Sequence, residues 1–290
     1  MNRASQLPPL LPLLNLFLIL SSLPNPSTAG TESFIYGGCS QLTYAPGSPF
    51  ESNLNSLLTS LVNSATYSAF NKFTIYGSSQ QDIVYGLYQC RGDLSMPDCA
   101  DCVTQAVSQI GVFCSSTTGG ALQLQGCLIK YDNTSFLGVE DKTVVLKKCG
   151  PPLGYDSDLM SRRDAVLDSL DNGGGLFRVG GSGEVQGMAQ CVGDLNANQC
   201  QDCVTAAVGK LKSDCGAAAY GDMFLAKCYV RYSTGGDYSQ AGSGSSSSHD
   251  QQGQTSKTLA IIIGMLAVVA LIIIFVSFIS RSLEKKGGGK

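Results

Sequence analysis

The 290-residue chain contains no tryptophan and a single histidine, and only 14% of its residues are charged. Each shortage excludes something. Without Trp, the cores are left to Leu, Val, Ile, Phe and Tyr, and domains of small size then need covalent help. The lone histidine, His249, lies in a Ser-rich stretch, so His-based catalytic triads are excluded from the folded part. Nineteen Lys and Arg against 22 Asp and Glu give a net charge of −3, with no basic excess for nucleic acid.

Both ends of the chain are apolar. "LPPLLPLLNLFLIL" follows Arg3 and leads to Ser27 and Ala29, small residues at the −3 and −1 positions of a cleavage site. This predicts a secretory signal peptide over residues 1–29. Residues 258–280, "TLAIIIGMLAVVALIIIFVSFIS", carry no charge. As a helix they span roughly 34 Å, enough for a hydrocarbon core of about 30 Å. Arg281, Lys285, Lys286 and Lys290 follow them, whereas Lys257 alone is basic just before. The positive-inside rule then predicts a type I single-pass protein with a cytosolic tail, residues 281–290. Ten residues hold no kinase or adaptor domain, so any signal has to pass through partners or the membrane helix. Residues 240–257 are Ser/Gly/Gln-rich and read as a flexible stalk.

The remaining length suits two small domains, and a repeat divides it. Cys90, Cys99, Cys102, Cys114 and Cys127 recur 101 residues later as Cys191, Cys200, Cys203, Cys215 and Cys228. Gly92-Asp93-Leu94 matches Gly193-Asp194-Leu195, and Val103-Thr104 matches Val204-Thr205. Cys39 and Cys149 open the two copies, giving six cysteines each. The domains are expected at 30–150 and 151–239, with "GPPLGYDSD" as a stiff interdomain turn. Copy two is shorter before its second cysteine, which reads as a trimmed hairpin.

Both copies contain C-x8-C-x2-C, in "CRGDLSMPDCADC" and "CVGDLNANQCQDC". Two CxxC pairs in one chain can build a four-thiolate zinc site, but these are 101 residues apart and follow an oxidising route. A CxxC at a helix N-terminus can also be a thioredoxin-like couple. A structural framework explains better why the spacing to four further cysteines is repeated. Six cysteines allow 15 pairings, and spacing does not choose among them. Neither a cofactor nor a metal is expected.

Leu54, Leu57, Leu58, Leu61, Val62 and Ala65 recur with helical period, as do Leu159, Val166, Leu167 and Leu170 in copy two. A second helix is predicted from Pro97 through Phe113. Apolar runs at 34–38, 73–76, 83–89, 122–131 and 143–147 predict strands. Together these make an α+β layer fold, two helices on a small antiparallel sheet. Asp93 and Asp194 read as turn or capping residues ahead of the second helix. Asn133-Thr134-Ser135 is a glycosylation sequon near a strand end.

The cysteine spacing, with Gly-Asp-Leu and Val-Thr beside it, resembles the ginkbilobin-homologous domain of land plants, also called the salt-stress-response/antifungal domain. The resemblance covers both copies, residues 33 to about 235. It implies two helices on a five-stranded antiparallel sheet. It also implies the pairs Cys39–Cys114, Cys90–Cys99 and Cys102–Cys127, then Cys149–Cys215, Cys191–Cys200 and Cys203–Cys228. Mannose-binding relatives use an Asn, an Arg and a Glu. The matching places here hold Ser40, Ala121 and Asp132 in copy one, and Gly150, Asp222 and Ser233 in copy two. Only Asp132 is similar, so mannose binding does not carry over and another glycan site stays open.

Two such domains, one membrane helix and almost no tail resemble the plasmodesmata-located proteins. That resemblance implies a non-enzymatic protein of the plasma membrane at plasmodesmata, with its ectodomain in the apoplast, modulating cell-to-cell traffic and callose deposition. Implied partners are cell-wall glycans or partner ectodomains, other plasmodesmal membrane proteins including a second copy, and viral movement proteins. The alternatives are an apoplastic glycan-binding or antifungal lectin-like protein and, behind it, a thiol oxidoreductase.

Overall fold

A computed structural model describes residues 28–154 and 156–235. The signal peptide up to residue 27, the stalk, the 258–280 segment and the tail lie outside the described residues. Among those described, no helix is long and apolar enough to cross a membrane.

After a short helical turn, Thr28–Thr31, copy one runs β1 (Phe34–Cys39), α1 (Pro49–Ser64), β2 (Phe70–Ile75), β3 (Val84–Cys90), α2 (Met96–Phe113), β4 (Gly119–Leu124) and β5 (Cys127–Asp132). Copy two runs β6 (Val144–Cys149), α3 (Ser157–Asp171), β7 (Phe177–Ser182), β8 (Val185–Cys191), α4 (Ala197–Cys215), β9 (Tyr220–Leu225) and β10 (Cys228–Thr234). The two antiparallel sheets have the matching orders β1-β4-β5-β3-β2 and β6-β9-β10-β8-β7.

Local chemistry explains where the helices start. The Ser48 hydroxyl accepts from Glu51 N at 3.3 Å, ahead of Pro49, and Ser95 does the same for Asp98 N ahead of Pro97. Asn196 and Gln199 form a reciprocal capping box on α4. The apolar stripes then meet one face of each sheet. Leu54, Leu57 and Leu61 of α1 are buried with Val103, Ala106 and Ile110 of α2. Val166, Leu167 and Leu170 of α3 are buried with Val204, Ala207 and Leu211 of α4.

Helix and strand lie very close at Gly86, where an added Cβ meets Leu57 Cδ2 at 2.3 Å, and at its repeat Gly187, where it meets Val166 Cγ1 at 2.5 Å. Gly86→Ala is therefore expected to overpack the core and cost about 1–3 kcal/mol, read as a lowered denaturation midpoint.

The structure moves three expected boundaries. The single strand expected at 122–131 is a hairpin, β4 and β5, turning at Gln125-Gly126. The strand at 143–147 pairs with β9 from Val144 to Cys149 and so opens the second sheet. Five strands per sheet is the count, but copy one reaches it with a different set. The division at 150/151 therefore shifts upstream to the segment 133–143. "GPPLGYDSD" lies inside copy two, where Pro152 bridges to Ala218. An apolar run carries no mark of the sheet it joins, which is why pattern alone placed residues 143–147 with copy one.

The shortened hairpin of copy two is the β7–β8 turn. It needs only Gly183 and Glu184, with Gly183 at φ +60°, the positive value required at the first position of a tight II′ turn. Copy one uses residues 76–83 for the same connection, including a 3-10 turn at Gln80–Asp82.

Candidate functional site

All twelve cysteines are bridged, as Cys39–Cys114, Cys90–Cys99, Cys102–Cys127, Cys149–Cys215, Cys191–Cys200 and Cys203–Cys228. Within each CxxC the two sulfurs diverge. Cys99 ties the first turn of α2 to β3, Cys102 ties the next to β5, and Cys114 ties its C-terminal end to β1. With every sulfur bonded to another cysteine, no thiolate is left to hold zinc or to attack a disulfide.

The places that correspond to a mannose site are occupied by internal contacts. Ser40 and Asp132 both adjoin Gly119. Asp132 Oδ1 accepts from Thr134 N at 2.8 Å and from the Thr134 hydroxyl at 2.6 Å, closing a turn around Asn133. Ala121 sits in the neighbouring register of β4, opposite Lys130. In copy two, Gly150 is covered by Tyr220, and Asp222 is buried against Arg231. Ser233 is buried as well.

Asp93 and Asp194, the repeated aspartates, have different fates. Asp93 is exposed and takes two hydrogen bonds from the guanidinium of Arg91, at 2.6 and 3.2 Å. Asp194 is wholly buried against Lys227 and also accepts from Gly138 N at 2.8 Å. Lys227 donates to the Phe136 carbonyl at 3.0 Å and lies over the Phe136 ring. Burial draws the Lys227 ammonium below the usual lysine pKa range, while Asp194 pulls it back up. Asp194 thus clamps the interdomain segment to copy two, a role that a turn aspartate does not announce in sequence.

These contacts belong to a larger seam between the copies, built on the sheet faces that carry no helices. Leu87, Leu128 and Val192 form its apolar centre, with Phe70, Phe136 and Leu137 against them. Gln190 Nε2 donates to the Cys90 carbonyl and Gly193 N donates to Gln89 Oε1, both at 2.8 Å. Arg231 donates to both oxygens of Asp222, at 2.7 and 3.3 Å, and to Gln125 Oε1 of copy one at 2.7 Å. The rings of Tyr36 and Phe224 meet edge-on at 5.6 Å.

Much of the seam repeats with exchanged copies. Phe70 packs where a Cβ on Gly193 would project, and Phe177 packs where a Cβ on Gly92 would project. The repeated Gly-Asp-Leu thus has a packing reason, since each glycine receives a phenylalanine of the other copy. Burial pushes the phenols of Tyr36 and Tyr229 far above their ordinary pKa, and Tyr229 donates to Gln190 Oε1 at 3.1 Å. A cavity of about 20 Å³ remains between Gln89, Gln123, Gln190 and Arg91, room for roughly one water. The seam's chemistry is that of a weld. Its ion pairs Arg231–Asp222 and Lys227–Asp194 are closed, and Gln89, Gln125 and Gln190 hydrogen-bond across the repeat, while Gln125 Nε2 is buried with no partner among the described residues.

Residues 38–134 and 153–235 match the family model described as salt stress response/antifungal. The chain is 62% identical over 274 residues to plasmodesmata-located protein 7 of Arabidopsis thaliana, covering 94% of this chain and 91% of that one. It is 56% identical over 277 residues to plasmodesmata-located protein 6 of the same plant, covering 94% and 96%. The chain belongs to the plasmodesmata-located protein family. The crystal structure of the tandem DUF26 ectodomain of the Arabidopsis thaliana cysteine-rich receptor-like protein PDLP5 matches with a TM-score of 0.67 at 50% identity. It covers 70% of this chain and 100% of that one. The corresponding PDLP8 ectodomain matches with a TM-score of 0.68 at 43% identity, covering 71% and 100%. Both of those neighbours are tandem arrangements of the same domain, and in this chain the seam described above joins the two copies.

Proposed function

We propose that the chain is a single-pass membrane protein of plasmodesmata whose tandem ectodomain is a non-enzymatic binding or scaffolding module. The observation that supports this best is the extent of the match. Relatives named for plasmodesmata align over more than nine-tenths of both lengths, well beyond the two folded copies. The seam supports the scaffolding half of the proposal, because it spends its polar groups on holding the copies together.

In this reading residues 258–280 span the plasma membrane, the ectodomain faces the apoplast and the short C-terminus is cytosolic. The protein modulates symplastic traffic and callose deposition through partners in the wall or the membrane plane. Those partners are cell-wall glycans or partner ectodomains, other plasmodesmal membrane proteins including a second copy, and viral movement proteins. Asn133, in its turn at the end of β5, carries the glycan.

A C-terminal fluorescent fusion imaged beside a callose stain tests the placement. Punctae across the wall that coincide with callose are expected, and a uniform plasma-membrane signal would falsify it. A glycan array probed with the secreted ectodomain tests the alternative of an apoplastic glycan receptor, which gains support only if binding occurs without punctae. Asn133→Gln is expected to raise the gel mobility of the secreted protein by one glycan, and an unchanged band removes the modification.

A further inference from the structure

We propose that copy two carries a binding site for a small apolar carboxylic acid, in the cavity between the glycine run 173–175 and the first turn of α4. The site goes beyond the reading above and does not depend on placement at plasmodesmata. Its volume is about 400 Å³, within the range of small-molecule sites. Leu176, Leu195 and Ala197 line it with carbon, Gly174 with bare backbone, and Arg178 and Gln201 with nitrogen.

Copy one shows what this corner of the fold requires. There the Ser68 carbonyl accepts from the Tyr88 phenol at 2.7 Å. In copy two the same carbonyl belongs to Gly175. Ser68 O and Gly175 O lie 3.8 and 3.9 Å from the equivalent sulfurs, Cys99 and Cys200. The strand position of Tyr88 holds Ala189, and Arg178 Nε donates to Gly175 O at 3.1 Å in place of the phenol. A neutral hydroxyl closes the corner in copy one, so the fold does not call for a charge here. Copy two buries one, with Arg178 only 7% exposed.

The guanidinium is only partly spent. Its Nη1 donates to the Leu170 and Asp171 carbonyls at the end of α3, at 2.9 and 3.1 Å. These bonds and that of Nε fix its plane. Nη2 is left with Cys200 Sγ at 3.8 Å, a weak acceptor on the cavity wall. None of the four acceptors is a carboxylate. Asp171, whose field supports the charge, has Oδ1 engaged by Thr205 at 2.6 Å and Gln201 at 3.2 Å. Burial draws the guanidinium pKa down, as it does for a cation without an anion in contact.

A buried cation with an open donor favours an anion beside it, and arginine suits carboxylates in particular. Ala197, the first residue of α4, adds the positive end of a helix dipole on the opposite wall. The remaining walls are apolar, so the occupant that satisfies both sides is a carboxylate on an apolar body. A neutral ligand leaves Nη2 without its anion, and a sugar acid sets hydroxyls against Leu176 and Leu195.

Copy one also supplies the variants. It starts α2 with Met96 where α4 starts with Ala197 and, counted back from the equivalent carbonyls, has Tyr67 where copy two has Gly174. A Cβ on Gly174 meets nothing within 4 Å. Binding is measured by ligand-observed NMR on the full-length chain in lipid nanodiscs, with benzoate as the probe and benzamide and galacturonate beside it. Benzoate is expected to bind about tenfold or more tighter than benzamide, the same ring without the charge. Ala197→Met is expected to weaken benzoate by a similar factor with the thermal midpoint unchanged. Gly174→Tyr is expected to do the same and covers the case in which the Met variant does not fold. Absent benzoate binding, or equal binding of benzoate and benzamide, overturns the proposal. Galacturonate binding as tight as that of benzoate overturns the apolar body, and unchanged benzoate binding in both variants overturns the site. Because binding is read on purified protein, its failure leaves the plasmodesmal placement standing, and a uniform membrane signal in cells leaves the site standing.

Discussion

Arg231→Met is expected to lower the unfolding free energy of the tandem domains by about 3–5 kcal/mol, the usual cost of stranding one member of a buried ion pair. Asp222 is left 4% exposed with no cation, and Gln125 of copy one loses its donor across the seam. The double variant Arg231→Met/Asp222→Ala is expected to recover most of the loss, because it removes the stranded carboxylate and copy one already has Ala121 at the equivalent place. Urea denaturation of the two domains, residues 28–235, provides the check. If the single and double variants lose equally, the damage lies in packing around the Arg231 stem and not in the uncompensated charge.

The second large effect concerns the bridges, which differ in the length of chain they close. Cys39–Cys114 closes a separation of 75 residues and Cys90–Cys99 one of 9. Chain-entropy arithmetic gives about 4.5 kcal/mol for the first and about 2.6 kcal/mol for the second. Replacing Cys39 and Cys114 together by Ser is therefore expected to lower secretion and thermal stability more than replacing Cys90 and Cys99. The ranking is informative because the longer bridge is the more exposed: Cys39 is exposed, whereas Cys90 and Cys99 are fully buried. If the buried pair proves the costlier loss, packing around the sulfurs outweighs the restriction of the unfolded chain.

Legibility followed the range of the interactions. The helix starts were readable because Ser48-Pro49 and Ser95-Met96-Pro97 act on their own next residues. The apolar stripe of α1 was readable because its period reflects one buried face. The β4–β5 hairpin was not, since between residues 122 and 131 the turn at Gln125-Gly126 is no more marked than the polar Gln123 and Lys130 inside the two arms. Asp194 does sit in the turn ahead of α4, but its partners Lys227 and Gly138 lie 33 and 56 residues away, where no local pattern announces them. Its copy Asp93 has no such neighbours and does behave locally.

By itself the sequence determined the duplication, the six cysteines per copy and the two-helix-on-sheet class, since spacing and period are properties of the chain alone. Only the tertiary structure decided which sulfurs meet, that residues 144–149 join the second sheet, and that the bare sheet faces weld two copies into one body. Those outcomes depend on which surfaces are left uncovered once each sheet has taken its helices. Identical repeats can bury such surfaces in many ways. The geometry of Phe70 against Gly193 and Arg231 against Gln125 selects one of them.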